Sequence, residues 1–196
     1  MKPSLPFFEP KKGFYISPES SIAIGLPTLL FLIFYLKTSL GFDFGNLTIY
    51  MSIICVIYCF AFMFSNFFRH EREIGEYKGM IRFGKSSISF NNKVYKLNDI
   101  EKMSFSCNVI KGETILYTRG LSPSLSNGLN NSITLKLIDG TKVEAAFLQT
   151  KTRRLKFYKE ILIFYYLENK FSWLHLLDVL EMNNYEEIQI FKNEIH

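Results

Sequence analysis

Ser87-Ile88-Ser89-Phe90-Asn91-Asn92-Lys93-Val94-Tyr95-Lys96-Leu97 alternates apolar and polar side chains on both sides of an Asn-Asn pair. A period of two marks a half-buried strand, and Asn tolerates the backbone of a tight turn, so this stretch predicts a β-hairpin. Upstream, Met80-Ile81-Arg82-Phe83 leads into it through Gly84-Lys85. Downstream, residues 100–110 read as a longer strand, Lys111-Gly112 as a turn and 114–117 as a short strand. Residues 120–131 are a loop rich in Gly, Ser, Asn and Pro. Residues 132–138 and 142–148 then pair across Asp139-Gly140, the strongest turn signal in the chain. These runs make seven strands. The expected core includes Ile88, Phe90, Tyr95, Leu97, Ile133, Leu135, Leu137 and Phe147.

Past residue 150 the period becomes helical. Leu155, Tyr158, Leu162 and Tyr165 share one face with Ile161 beside them, which predicts a helix over 153–168 with Thr150 or Thr152 as its cap. A second helix follows Ser172, and a third over 185–195 carries Ile188, Phe191 and Ile195. Seven short strands followed by an amphipathic helix predict a small curved antiparallel sheet or barrel whose open end is plugged by that helix.

Upstream of the strands the composition is different. The chain has 196 residues, 48% apolar and 16% aromatic, and the apolar excess sits in two blocks, 22–36 and 47–68. Ser17 can cap the first block, Pro18 suits a first helical position and Glu19 the positive end of the dipole. Residues 18–40 are long enough to cross about 30 Å of hydrocarbon, with Pro27 expected to kink the helix and Lys37 to snorkel. The second block has no charge, Asn46 as a plausible cap, and Tyr50, Phe67 and Phe68 near its ends. Lys2, Lys11 and Lys12 precede the pair, while Arg69, Arg72, Lys78 and Arg82 follow it. The positive-inside rule therefore puts both termini in the cytoplasm. The expected division is a cytoplasmic segment at 1–17, a transmembrane hairpin at 18–68, a cytoplasmic domain at 69–168 and a helical tail at 169–196. The expected class is an α+β membrane protein. No signal peptide is legible.

The run from Gly79 to Phe105, the later Asn131 to Phe147 run with its Asp-Gly turn, and the helix after it resemble bacterial pleckstrin-homology-like domains found beside paired transmembrane helices. The resemblance covers roughly residues 77–168. It implies a seven-stranded barrel capped by a C-terminal helix. It implies a role in binding lipid, peptide or protein and carries no catalytic residue.

One literal motif competes with that assignment. Gly79-Met80-Ile81-Arg82-Phe83-Gly84-Lys85-Ser86 fits G-x-x-x-x-G-K-[ST], which cradles phosphate when a helix follows it. Here the residues after Ser86 alternate as a strand, so two strands joined at Gly84-Lys85 are expected. Cys55 and Cys59 share a helix face and read as helix-contact residues; Cys107 stands apart. His70, His175 and His196 are scattered, with His175 read as a packed or interfacial histidine, and no catalytic triad or metal set can be drawn from spacing. No cofactor and no small-molecule substrate is indicated. The formal charge of +5 has no interleaved stacking platform, which speaks against nucleic acid.

The expected function is a membrane-anchored binding or scaffold module, an accessory subunit of a larger assembly in the bacterial cytoplasmic (inner) membrane, and not an enzyme. Two alternatives stand: a nucleotide-binding or hydrolysing device using Gly79 to Ser86, and a sensor of anionic lipid. Leu121, Leu125 and Leu129 are the candidate anchors for a protein partner. Arg69, Arg72, Arg153 and Arg154 are the candidate contacts to anionic headgroups of the bilayer.

Overall fold

The computed structural model describes residues 3–11, 13, 16–42, 44–107, 109–115 and 122–195, with Glu19 described by its backbone alone. The chain divides into a sheet unit (Met1–Lys11, Arg72–Glu113, Ser126–His196) and a helical unit (Lys12–Glu71, Thr114–Leu125).

The sheet unit holds seven antiparallel strands: β1 (Ser4–Pro10), β2 (Gly75–Phe83), β3 (Ser87–Phe90), β4 (Lys93–Lys96), β5 (Ile100–Cys107), β6 (Asn131–Leu137) and β7 (Lys142–Phe147). Their order is β4-β3-β2-β1-β7-β6-β5. The predicted hairpin is present, with Asn91 at φ 53 in its turn and Ile88 opposite Tyr95. Ile88, Phe90, Leu97, Ile133, Leu135 and Phe147 are buried, and Tyr95 and Leu137 pack at the margin of the same core.

The seven strands are not the seven expected. Thr114 forms only a bridge to Leu125, and 116–117 lie outside the described residues. The remaining strand is the N-terminal Ser4–Pro10, which occupies the centre of the sheet. It pairs with β2 from Ser4↔Arg82 to Pro10↔Gly75 and with β7 at Phe7↔Phe147. Its pattern hides it: Leu5 and Phe7 pack on the core, while Phe8 is buried outside that core against Tyr77 and Gly75, so both faces of the strand are apolar. The register shift between Phe7 and Phe8 leaves Lys78 of β2 unopposed.

The sheet is open, with β4 and β5 as its two edges, so of the expected curved sheet or barrel it is the curved sheet that forms. It is nevertheless strongly curled. In a flat sheet β2 and β5 would stand about 19 Å apart, four strand spacings. The rings of Phe83 and Phe105, on those two strands, have centroids 6.3 Å apart.

A 3-10 turn (Leu155–Tyr158) and helix α3 (Lys159–Leu167) fill the concave side, with Leu155, Leu162 and Tyr165 fully buried. The Tyr165 hydroxyl donates to the Gly84 carbonyl and the Tyr158 hydroxyl to the Ser4 carbonyl, both at 2.9 Å. Helices α4 (Trp173–Leu180) and α5 (Tyr185–Ile195) join the same core through Leu176, Val179, Leu180 and Phe191.

In the helical unit, α1 (Pro18–Leu40) and α2 (Leu47–Asn66) are both long and apolar enough to cross a membrane. Ser17 caps α1, its hydroxyl accepting from the Ser20 amide at 3.0 Å, and Pro27 lies inside the helix. Asn46 precedes α2 without a side-chain capping bond. Ala23, Cys55 and Phe62 are buried, whereas large apolar side chains such as Phe31 and Phe60 face outward.

Candidate binding site

The Gly79 to Ser86 stretch is not a phosphate cradle in its backbone. Gly79 to Phe83 are β2, and β3 begins at Ser87. The Gly84 amide is spent on the Ser87 carbonyl at 3.0 Å, and no helix follows. This turn instead forms one wall of a cleft of about 710 Å³. Phe83, Phe157, Ile161 and Phe164 supply its apolar surface, and Lys85 and Lys159 its cations. The Lys85 ammonium lies 5.6 Å from the centre of the Phe164 ring. Lys159 lies 4.5 Å from that of Phe191 and 3.6 Å from a Glu194 carboxylate oxygen. The Tyr158 hydroxyl at the cleft is committed to Ser4. The lining offers an apolar surface with charges of both signs beside it, Lys85 and Lys159 with Glu160, which is the equipment of binding.

The two edges of the sheet differ. Along β5, the Met103 amide donates to the Lys170 carbonyl at 2.8 Å, and the Phe105 amide donates to His175 Nε2 at 2.8 Å. The Lys102 ammonium donates to the Asn169 carbonyl. The α3–α4 connection thus occupies this edge. Along β4 no such cover exists among the described residues, and Val94 is 65% exposed.

The leucines expected to anchor a partner are dispersed. Leu121 lies outside the described residues. Leu129 is buried in the sheet unit. Leu125, in the helical unit, is half-buried. Its amide donates to the Arg69 carbonyl at 3.0 Å and its carbonyl accepts from the Glu71 amide at 2.7 Å. With Ser124, whose amide donates to the Asn66 carbonyl at 2.8 Å, it clamps the segment leaving α2. Sequence periodicity could not reveal this, because a bridge two residues long has no period.

Of the arginines, Arg154 is an internal tie. It pairs with Glu181, which Lys156 also reaches at 2.9 Å. Burial raises the Glu181 carboxyl, but Lys156 and Arg154 outweigh it and hold the group below its ordinary value. Arg153 is exposed, Arg72 is exposed in the sheet unit, and Arg69 is half-buried in the helical unit. Burial, with Asp178 and Glu181 nearby, pushes the Cys107 thiol up to about 12, so it is inert at neutral pH. Among the described residues no group of three His, Cys, Asp or Glu side chains could hold a metal ion.

Comparison of the chain with protein-family models, with curated proteins and with solved structures finds no match in any of the three.

Proposed function

We propose that the chain is a membrane-anchored, pleckstrin-homology-like binding module, an accessory subunit that docks on a larger assembly in the bacterial cytoplasmic membrane. The observation that carries this is where the helical hairpin enters the sheet. It is inserted between β1 and β2, which pair along their whole length and bring Pro10 opposite Gly75. Only residues 11–17 and 67–74 join these strand ends to the helices. At roughly 3.5 Å per residue neither connection spans the about 40 Å of a bilayer with its headgroups, so both helix ends emerge on one face. The charge bias around the hairpin makes that face the cytoplasmic one. A sheet into whose chain the anchor is inserted, curled over an apolar core and offering a lined cleft and one uncovered edge, suits a protein that holds partners.

Two measurements test this. Cysteines placed singly at Asn46 and Asn127, in a background lacking the native three, should be labelled from opposite sides of the membrane. Purification in mild detergent should retain a stoichiometric membrane partner; labelling of both sites from outside, or a chain that always purifies alone, overturns the proposal.

A further inference from the structure

We infer that the uncovered β4 edge, Lys93–Lys96, captures an acidic peptide segment in extended conformation, added as a further strand. This deepens the binding-module proposal and rests on it only for the identity of the natural partner.

Phe90 and Lys93 flank a two-residue turn, so they exchange both ladder hydrogen bonds, as do Ile88 and Tyr95 two residues on. The intervening residues, Val94 and Lys96, therefore turn their amides, and Val94 its carbonyl, away from β3 toward the free edge, while the Lys96 carbonyl opens the 3-10 turn Leu97–Asp99. Those groups are the template a guest strand needs. The opposite edge of the sheet is taken by Lys170 and His175.

Charge sets the class of guest. Residues 79–98 contain Arg82, Lys85, Lys93 and Lys96 and no Asp or Glu. All four are exposed, and none is in an ion pair among the described residues. Arg82, Ser89 and Val94 lie in one row across the outward face of the three strands. Lys96 is on the same face as Val94, while Lys93 lies opposite Phe90 at the inward margin. A guest strand alternates its side chains between the two faces. Carboxylates on either face thus meet a lysine. These lysines favour an acidic strand as the guest.

The test uses the full chain in neutral-lipid nanodiscs and an end-blocked, fluorescent octapeptide of alternating glutamate and valine. Binding is expected, weakened about tenfold when alternate amides of the peptide are N-methylated, because hydrogen bonds to the edge are lost. Val94→Pro removes one outward amide at an edge position where proline is tolerated, and should weaken binding comparably while the thermal transition is kept. Lys93→Glu with Lys96→Glu should abolish it. No binding, or equal affinity for the N-methylated peptide, overturns the inference. So does binding of the double variant to phosphatidylglycerol vesicles reduced from wild type with no peptide bound by either, which would make the patch a lipid contact. If Val94→Pro does not fold, the N-methylated peptide on the wild-type chain decides alone. Loss of the copurifying partner is a separate readout: a chain without partners overturns the module, and a chain that keeps its partner but ignores the peptide overturns only the edge.

Discussion

The Nε2 atom of His175 accepts a hydrogen bond from the backbone amide of Phe105 at 2.8 Å, across seventy residues of sequence. An acceptor at Nε2 requires the neutral imidazole with its proton on Nδ1. The ring lies nearly parallel to Phe105, 6.1 Å away, and edge-on to Phe171 at 5.6 Å. One side chain of α4 thereby closes the β5 edge.

Burial lowers the His175 pKa, with Asp178 opposing. A group whose folded pKa lies below its unfolded value of about 6.5 resists protonation in the native state. Its contribution to stability is full above that value and is lost as pH falls through the folded pKa. Wild-type protein should therefore lose more thermal stability between pH 7.5 and pH 5 than His175→Gln, whose side chain does not titrate. Equal pH dependence of the two melting curves refutes this.

The N-terminal strand should be essential to the fold. Leu5 is fully buried between the two halves of the sheet. Leu5→Ala should cost about 3 kcal/mol, and removal of residues 3–10 should abolish the cooperative transition, since β2 and β7 would lose their shared neighbour. Calorimetry in detergent measures both.

What the sequence discloses depends on periodicity. The Ser87–Phe90 and Lys93–Lys96 hairpin and the Asp139-Gly140 turn are regular and form as read. Leu155, Leu162 and Tyr165 face the core as read, but the helix expected over 153–168 is a 3-10 turn to Tyr158 and an α-helix only from Lys159, with no side-chain cap from Thr150 or Thr152. Strand β1 is hidden because both of its faces carry buried or half-buried apolar side chains, Leu5 and Phe7 on the core and Phe8 outside it, and because Pro3, Pro6 and Pro10 punctuate it. At β5 the shift between Ile100 and Lys102 leaves Glu101 unopposed and turns both Ile100 and Met103 inward, and the strand is still legible because it is long. The binding surfaces are less legible. Whether Val94 sits at an edge depends on strand order, which no local pattern encodes. The Arg154–Glu181 pair and the His175–Phe105 bond join residues far apart in sequence and are visible only once the chain is folded.

Cys107 should be silent to thiol reagents in the native protein. With Cys55 and Cys59 replaced by Ser, maleimide at pH 7.5 should label the folded chain at a small fraction of the rate seen after denaturation, because a thiol at about 12 supplies almost no thiolate. Rapid native labelling contradicts this placement.

Two glycines in turns separate backbone strain from steric exclusion. Gly140 has φ +84 with open space where a Cβ would stand, whereas Gly128, at φ +75, would place a Cβ 2.5 Å from the Gln149 carbonyl oxygen and 2.7 Å from the Lys111 amide nitrogen. Those neighbours cannot yield cheaply. The Lys111 amide donates to that same Gln149 carbonyl, and the Gln149 amide donates to the Gly128 carbonyl. Beneath them the Asn131 side chain donates to the Gly128 and Val109 carbonyls and accepts from the Val109 amide and from Gln149 Nε2. Gln149 Oε1 in turn accepts from the Leu155 amide, at the entry to the helical plug. A Cβ at Gly128 would therefore push on the junction that joins the β5–β6 connection to α3. Gly140→Ala should cost about 1 kcal/mol, the penalty of a left-handed residue alone. Gly128→Ala should cost about 3 kcal/mol or more, since broken hydrogen bonds among buried polar groups add to the strain. Chemical denaturation of the two variants under one condition measures the difference, and equal costs would mean that the Asn131–Gln149 junction does not constrain this turn.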